Sequence, residues 1–138
     1  MSVAPYSFDD ATALTRQASA AQKAAEDLLR STSRDSAEKE RSYRVALAKE
    51  IVRQHADDGV AWSVAPDLAR GNPEVANLRM LRDIAEGVRE ATQQQAWRAS
   101  ADRKDLTQLV LWSMRRDLAE GYEAPVGEGQ TFGARRAA

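Results

Sequence analysis

Two stretches of this 138-residue chain contain neither glycine nor proline: the run from Pro5 to Gly59 and the run from Gly87 to Gly121. Glycine and proline are the residues that most often end helices, so these runs are free to be long helices. Between them lies "DLARGNPEVANLRMLRDIAEG", Asp67 to Gly87. Its "RGNP" is a helix stop and a helix start placed back to back. Gly71 ends one helix. Asn72 is a strong N-cap, Pro73 suits the first helical position, and Glu74 meets the positive end of the helix dipole.

The first helix is expected over about residues 7–57. Ser7 is a suitable N-cap and Asp9 and Asp10 fit the first turn. Leu14, Ala18, Ala21, Ala25, Leu28 and Thr32 recur at spacings of three and four, a helical stripe of mostly small residues. "RSTSRDSAEKERS" then carries no large apolar residue. The stripe resumes with Tyr43, Leu47, Ala48, Ile51 and Val52, and Gly59 is a natural stop. The corner, residues 58–72, has room for one or two helical turns, with Ser63 as a cap, Pro66 in the first turn and Trp62 as a plug.

The second helix is expected over about residues 73–121. Val75, Leu78, Leu81, Ile84, Ala85, Val88 and Ala91 form its stripe. Its middle is polar apart from Trp97 and alanines, and Leu106, Leu109, Val110 and Leu118 resume the pattern. Two such helices are each roughly 70 Å long. A compact corner folds them back as an antiparallel hairpin. The sequence thus predicts an all-α, coiled-coil-like hairpin domain over residues 1–122. In it Val52 meets Val75, Tyr43 meets Ile84 and Leu14 meets Trp112, and the middle is soft. Four of the seven glycines fall at or after Gly121 with Pro125, so residues 123–138 read as a flexible tail. One seam between two helices is a small core, which predicts a homo-oligomer.

The chain has no cysteine, which excludes disulfides, thiolate zinc sites and thiol catalysis. Basic and acidic residues nearly cancel, 20 against 21, so no global charge draws it to nucleic acid or membrane. The start has no secretory pattern and no run is long and apolar enough for a membrane span. The expected location is the cytoplasm, that of the host cell if the chain is phage-encoded.

Catalytic signals are missing. His55 is the single histidine, beside Asp57 and Asp58. A metal site needs more converging ligands, and a histidine at a helix C-terminus is favoured by the dipole. Most carboxylates have a basic neighbour three or four residues away, as in Glu40 with Arg44, Arg79 with Asp83 and Arg82 with Glu86. There is no nucleophile elbow, phosphate-cradling loop or zinc-protease motif. The expectation is a non-enzyme with no metal and no cofactor.

Two surfaces stand out instead. Trp97 and Trp112, with Tyr43, are candidate anchors for a protein partner, because buried aromatic residues dominate such interfaces. Arg79, Arg82, Arg89, Arg98, Arg103 and Lys104 are the alternative, a phosphate-binding face. Acids interleave with them, which also describes an ordinary solvated face.

At "YRVALAKEIV" and "DLARGNPEVANLRMLRDIAEGVREA" the chain resembles a family of small helical phage proteins from early recombination and replication gene cassettes. The resemblance spans roughly residues 35 to 100. It rests on Tyr43, Arg44, Leu47, Ala48 and Lys49, on Asp67, Leu68, Ala69 and Gly71, and on Val75, Leu78, Arg79, Asp83, Ile84 and Ala85. It implies a role in phage DNA metabolism and brings no catalytic residue. The expected function is an accessory or adaptor protein that binds a recombinase, nuclease or defence subunit, including as an inhibitor. The alternatives are a nucleic-acid-binding module and a coiled-coil component of a virion.

Overall fold

A computed structural model describes residues 8–121. Ser7 and residues 123–138, expected to be a cap and a flexible tail, lie outside the described residues. The described chain is all-α. Helix α1 spans Phe8–Asp58, α2 spans Ala65–Arg70 and α3 spans Pro73–Gly121. The long helices have 51 and 49 residues, so each is about 75 Å long. They fold back on each other as a hairpin, and α2 packs at the corner, mainly on α1. Both run unbroken through the middle that the sequence suggested was soft.

The corner follows its local chemistry closely. Gly59 takes φ +68°, a left-handed conformation that turns the chain out of α1. The Val60 N–H then donates back to the Gln54 carbonyl at 3.1 Å. Ser63 does not cap α2. Val64 holds that position without a side-chain bond, and the turn is closed by the N–H groups of Val64 and Ala65 donating to the Ala61 carbonyl at 3.0 Å. Asn72 caps α3 as expected. Its Oδ1 accepts from the Glu74 N–H at 2.9 Å and from the Val75 N–H at 3.4 Å.

The seam keeps Ala18, Ala25, Thr32, Tyr43, Val75, Leu78, Ala85, Leu106 and Val110 of the expected stripes and leaves out Leu81, Ile84 and Val88. On α1, burial recurs at Ala11, Thr15, Ala18, Gln22, Ala25, Leu29, Thr32, Ser36, Lys39, Tyr43, Ala46 and Glu50. On α3 it recurs at Val75, Leu78, Arg82, Ala85, Arg89, Thr92, Ala96, Ala99, Leu106, Val110 and Ser113. Steps of four and three alternate, a period of about 3.5 residues, which is the signature of a left-handed coiled coil. Six of the eight buried apolar residues among those described are alanines, and no large side chain is fully buried. Small side chains let the two backbones approach closely, and two polar pairs bond across the seam. Thr32 and Thr92 share a hydrogen bond of 2.7 Å at the centre, and Arg103 donates to Gln22 at 3.0 Å.

These contacts fix the register. Thr32 stands opposite Thr92, Gln22 opposite Arg103 and Tyr43 opposite Arg82, one to three residues from the expected pairing. Tyr43 therefore meets Arg82 and not Ile84, which is 56% exposed. The sequence stripe through Leu81, Ile84 and Val88 is real, but it faces away from the hairpin's own seam.

Two substitutions test this account. Ala25→Leu places a large side chain where the helices touch and is expected to lower stability by about 1–3 kcal/mol, whereas Ala37→Leu on the exposed surface is near neutral. Equal thermal shifts for the two would mean that the small-residue seam is misplaced. Gly59→Ala meets no atom within 4 Å, yet the left-handed φ is expected to cost about 1 kcal/mol in denaturant unfolding.

Candidate functional site

The coiled-coil period sorts the remaining side chains onto two long faces of the hairpin. Grooves mark them. Glu38, Ser42, Val45, Lys49 and Glu74 line a groove on one side. Thr12, Arg16 and Met114 line one on the other side, as do Ser100, Lys104 and Thr107. Extending each position by heptads assigns Leu14, Leu28, Leu81, Ile84, Val88, Leu109 and Trp112 to the first face. The second face carries Lys23, Arg30, Glu40, Arg44, Arg79, Glu86 and Lys104. The hairpin as a whole is amphipathic across its width, with an apolar face and a charged face.

The charged face is laced by ordinary pairs. Lys23 and Arg30 both reach Asp27, at 2.9 and 3.4 Å, and the Lys23 ammonium with Arg30 holds that carboxyl below its usual range. Arg44 pairs with Glu40 as the sequence suggests. Arg82 does not pair with Glu86. It contacts Asp83 at 2.6 Å and Glu40 at 3.5 Å, and its guanidinium lies 4.5 Å above the Tyr43 ring. This stack of cation on aromatic ring, tied down by two carboxylates, locks the seam one third of the way along.

The sequence-predicted anchors separate. Trp97 is 59% exposed and stands one heptad before Lys104, on the charged face. Trp112 is 63% exposed on the apolar face, with Arg116 5.5 Å above its ring. Tyr43 is 7% exposed beneath Arg82 and presents nothing to a partner. Trp62 does not plug the corner. It lies outside, stacked on His55 with ring centroids 3.8 Å apart, while His55 Nδ1 donates to the Val60 carbonyl at 2.8 Å. His55 thus closes the end of α1 through a hydrogen bond rather than through dipole attraction alone.

The basic residues separate too. Arg82, Arg89 and Arg103 sit at seam positions, Arg79 and Lys104 on the charged face, and Arg98 on the apolar face. Arg79, Arg89, Arg98 and Lys104 form no ion pair among the described residues. The structure does not gather the six into one phosphate-binding surface, which needs clustered, unopposed charge. The described residues contain no group of three or more metal-binding side chains, and no described helix is long and apolar enough to cross a membrane.

One polar cluster was not singled out in the sequence. Glu50, half-buried at the corner, receives two hydrogen bonds from Arg53, at 2.8 and 3.0 Å, and one from Gln54 at 3.1 Å. The Asn72 side chain lies beside it and helps to hold the carboxyl down. The bidentate Arg53 guanidinium is the largest cause that pulls the Glu50 carboxyl down to about 2, and burial opposes it. Asn72 therefore has two tasks: its oxygen caps α3 and its side chain ties α3 to the end of α1. The cue in the sequence was the spacing Glu50–Arg53–Gln54, which only a known register connects to Asn72.

No protein-family model, no curated protein and no solved structure matches this chain. The geometry offers a pair of long faces, one apolar and one charged around Trp97.

The Glu50 cluster carries a pH prediction. A carboxyl lowered from 4.5 to about 2 in the folded chain stabilises the fold above its unfolded value, and that contribution is lost as pH falls from 4.5 toward 2. The melting temperature of the native chain is expected to drop across that window. Glu50→Gln melts lower at neutral pH and shows a flatter acid limb. Parallel acid limbs for the two proteins would mean that the carboxylate does not hold the corner.

Proposed function

We propose that this chain is a non-enzymatic accessory or adaptor protein of phage DNA recombination and replication, acting by protein–protein contact. One form of that role is inhibition of a host nuclease or defence complex. The observation that carries the reading is the inverted placement of side chains. Alanine and short polar residues make up about half of the seam, while the tryptophans and many of the larger aliphatic residues, Ile84, Val88 and Leu109 among them, point outward. Exposed apolar surface of this extent marks an interaction site. The resemblance at Tyr43–Val52 and Asp67–Ala91 supplies the phage setting.

Trp97 is the anchor for the foreign partner. A large ring standing alone on a charged face has the composition of an interface hot spot: an apolar centre with a polar rim. Partners with acidic and basic residues in alternation fit that rim.

The test is capture of tagged protein from infected lysate after nuclease digestion, with mass spectrometry of what is retained. A recombinase, nuclease or defence subunit is expected to remain. Trp97→Ala is expected to weaken its affinity by about 2 kcal/mol, roughly 30-fold. Partners that vanish on digestion would replace this reading with direct nucleic-acid binding, and recovery only in purified particles would replace it with a virion component.

A further inference from the structure

The apolar face poses a separate question, because Trp97 is not on it. It runs in zones. Near the corner lie Val45 on α1 and Leu81, Ile84 and Val88 on α3, all exposed. The middle is mixed, with Leu28 among Asp35, Gln95, Arg98 and Asp102. At the open end Leu109 and Trp112 are exposed beside the half-buried Leu14. The register set by Thr32–Thr92 and Tyr43–Arg82 puts the end zones of α1 level with those of α3, Val45 with Leu81 and Leu14 with Leu109 and Trp112. At both ends each helix of the face therefore matches the other helix of the same hairpin.

We infer that this face binds a second copy of the chain, corner beside corner, in a parallel four-helix bundle whose two-fold axis runs along the hairpin. Rotation about that axis lays α1 of one copy over α3 of the other at the same level. Val45 then meets Leu81 of the second copy, and Leu14 meets Leu109 and Trp112 of the second copy. An antiparallel overlap of the full length instead places Leu81 and Ile84 over Arg98 and Asp102 of the second copy.

Charge agrees with the parallel choice. Lys49 and Glu74 line the same groove within about one helical turn of each other, and neither forms an ion pair among the described residues. The two-fold sets Lys49 of each copy over Glu74 of the other, so the pair forms twice. Size agrees as well. The face is about 75 Å long and about two helix diameters wide, on the order of 1,500 Å² per copy. A stable interface needs about 800 Å² per partner. Only a rod of the same length covers all of the zones at once, and the two-fold makes the contact closed and self-complementary.

This dimer is independent of the foreign partner, because Trp97 stays on the outer, charged face. The experiment combines sedimentation with a distance measurement. The native chain of 15.2 kDa is expected to sediment as a dimer at micromolar concentration. Ile84→Glu with Val88→Glu is expected to give a monomer, and Trp97→Glu to leave the dimer intact. The chain has no cysteine, so Ser63→Cys carries a single spin label at the corner. Two labels closer than about 40 Å support the parallel bundle, whereas corners at opposite ends are about 75 Å apart. A monomeric native chain, a dimer indifferent to Ile84→Glu with Val88→Glu, or the long distance would each overturn the proposal. If the double variant loses helicity, the label distance on the otherwise native chain decides. Loss of lysate partners with Trp97→Ala while the dimer persists would separate the two surfaces.

Discussion

The close approach of two helices over a seam of alanine and short polar residues is the constraint on which the rest of this structure depends. A seam built from leucine would hold the helices farther apart and draw the apolar surface inward. With Ala25, Ala85 and Ala96 at the contact, the backbones come together and little apolar area is removed from water. Specificity then falls to polar contacts. Thr32 with Thr92, Gln22 with Arg103 and Tyr43 with Arg82 each cross the seam at a different level, and together they set one register. Polar groups at seam positions commonly fix register at some cost in stability.

The same economy inside the hairpin explains its outside. Larger side chains that do not fit between closely spaced helices are displaced to the faces. Because both helices share one period, displaced residues line up into continuous surfaces rather than scattered spots. One surface is apolar in zones and the other is charged around Trp97, so a single small hairpin carries two chemically different faces.

Much of the fold was legible before any coordinates. The glycine-free and proline-free run from Pro5 to Gly59 located α1 to within a few residues, Gly121 marked the end of α3, and Asn72–Pro73–Glu74 located its start. The direction of the stripes was not legible. Leu81, Ile84 and Val88 carry the strongest periodic signal on α3, and an apolar stripe is ordinarily read as the buried one. Here the seam is the neighbouring stripe, and Arg82, Arg89 and Thr92 give no hydropathy signal for it. Tyr43 and Trp62 misled for a related reason. An aromatic residue signals a contact but not its side, and Trp62 found His55 on the outside of the turn. The Glu50 cluster was hidden because Asn72 is distant in sequence and adjacent only across the corner.

The unbroken period along both helices also makes the hairpin a ruler. Adding a heptad to α1 and another at the matching level of α3 would preserve every face and move the two ends about 10 Å further apart. Adding to one helix alone would turn every later residue out of register with its counterpart. Separation between whatever binds at the corner and whatever binds at the open end is thus set by chain length, in discrete steps. The two helices can change that separation only together.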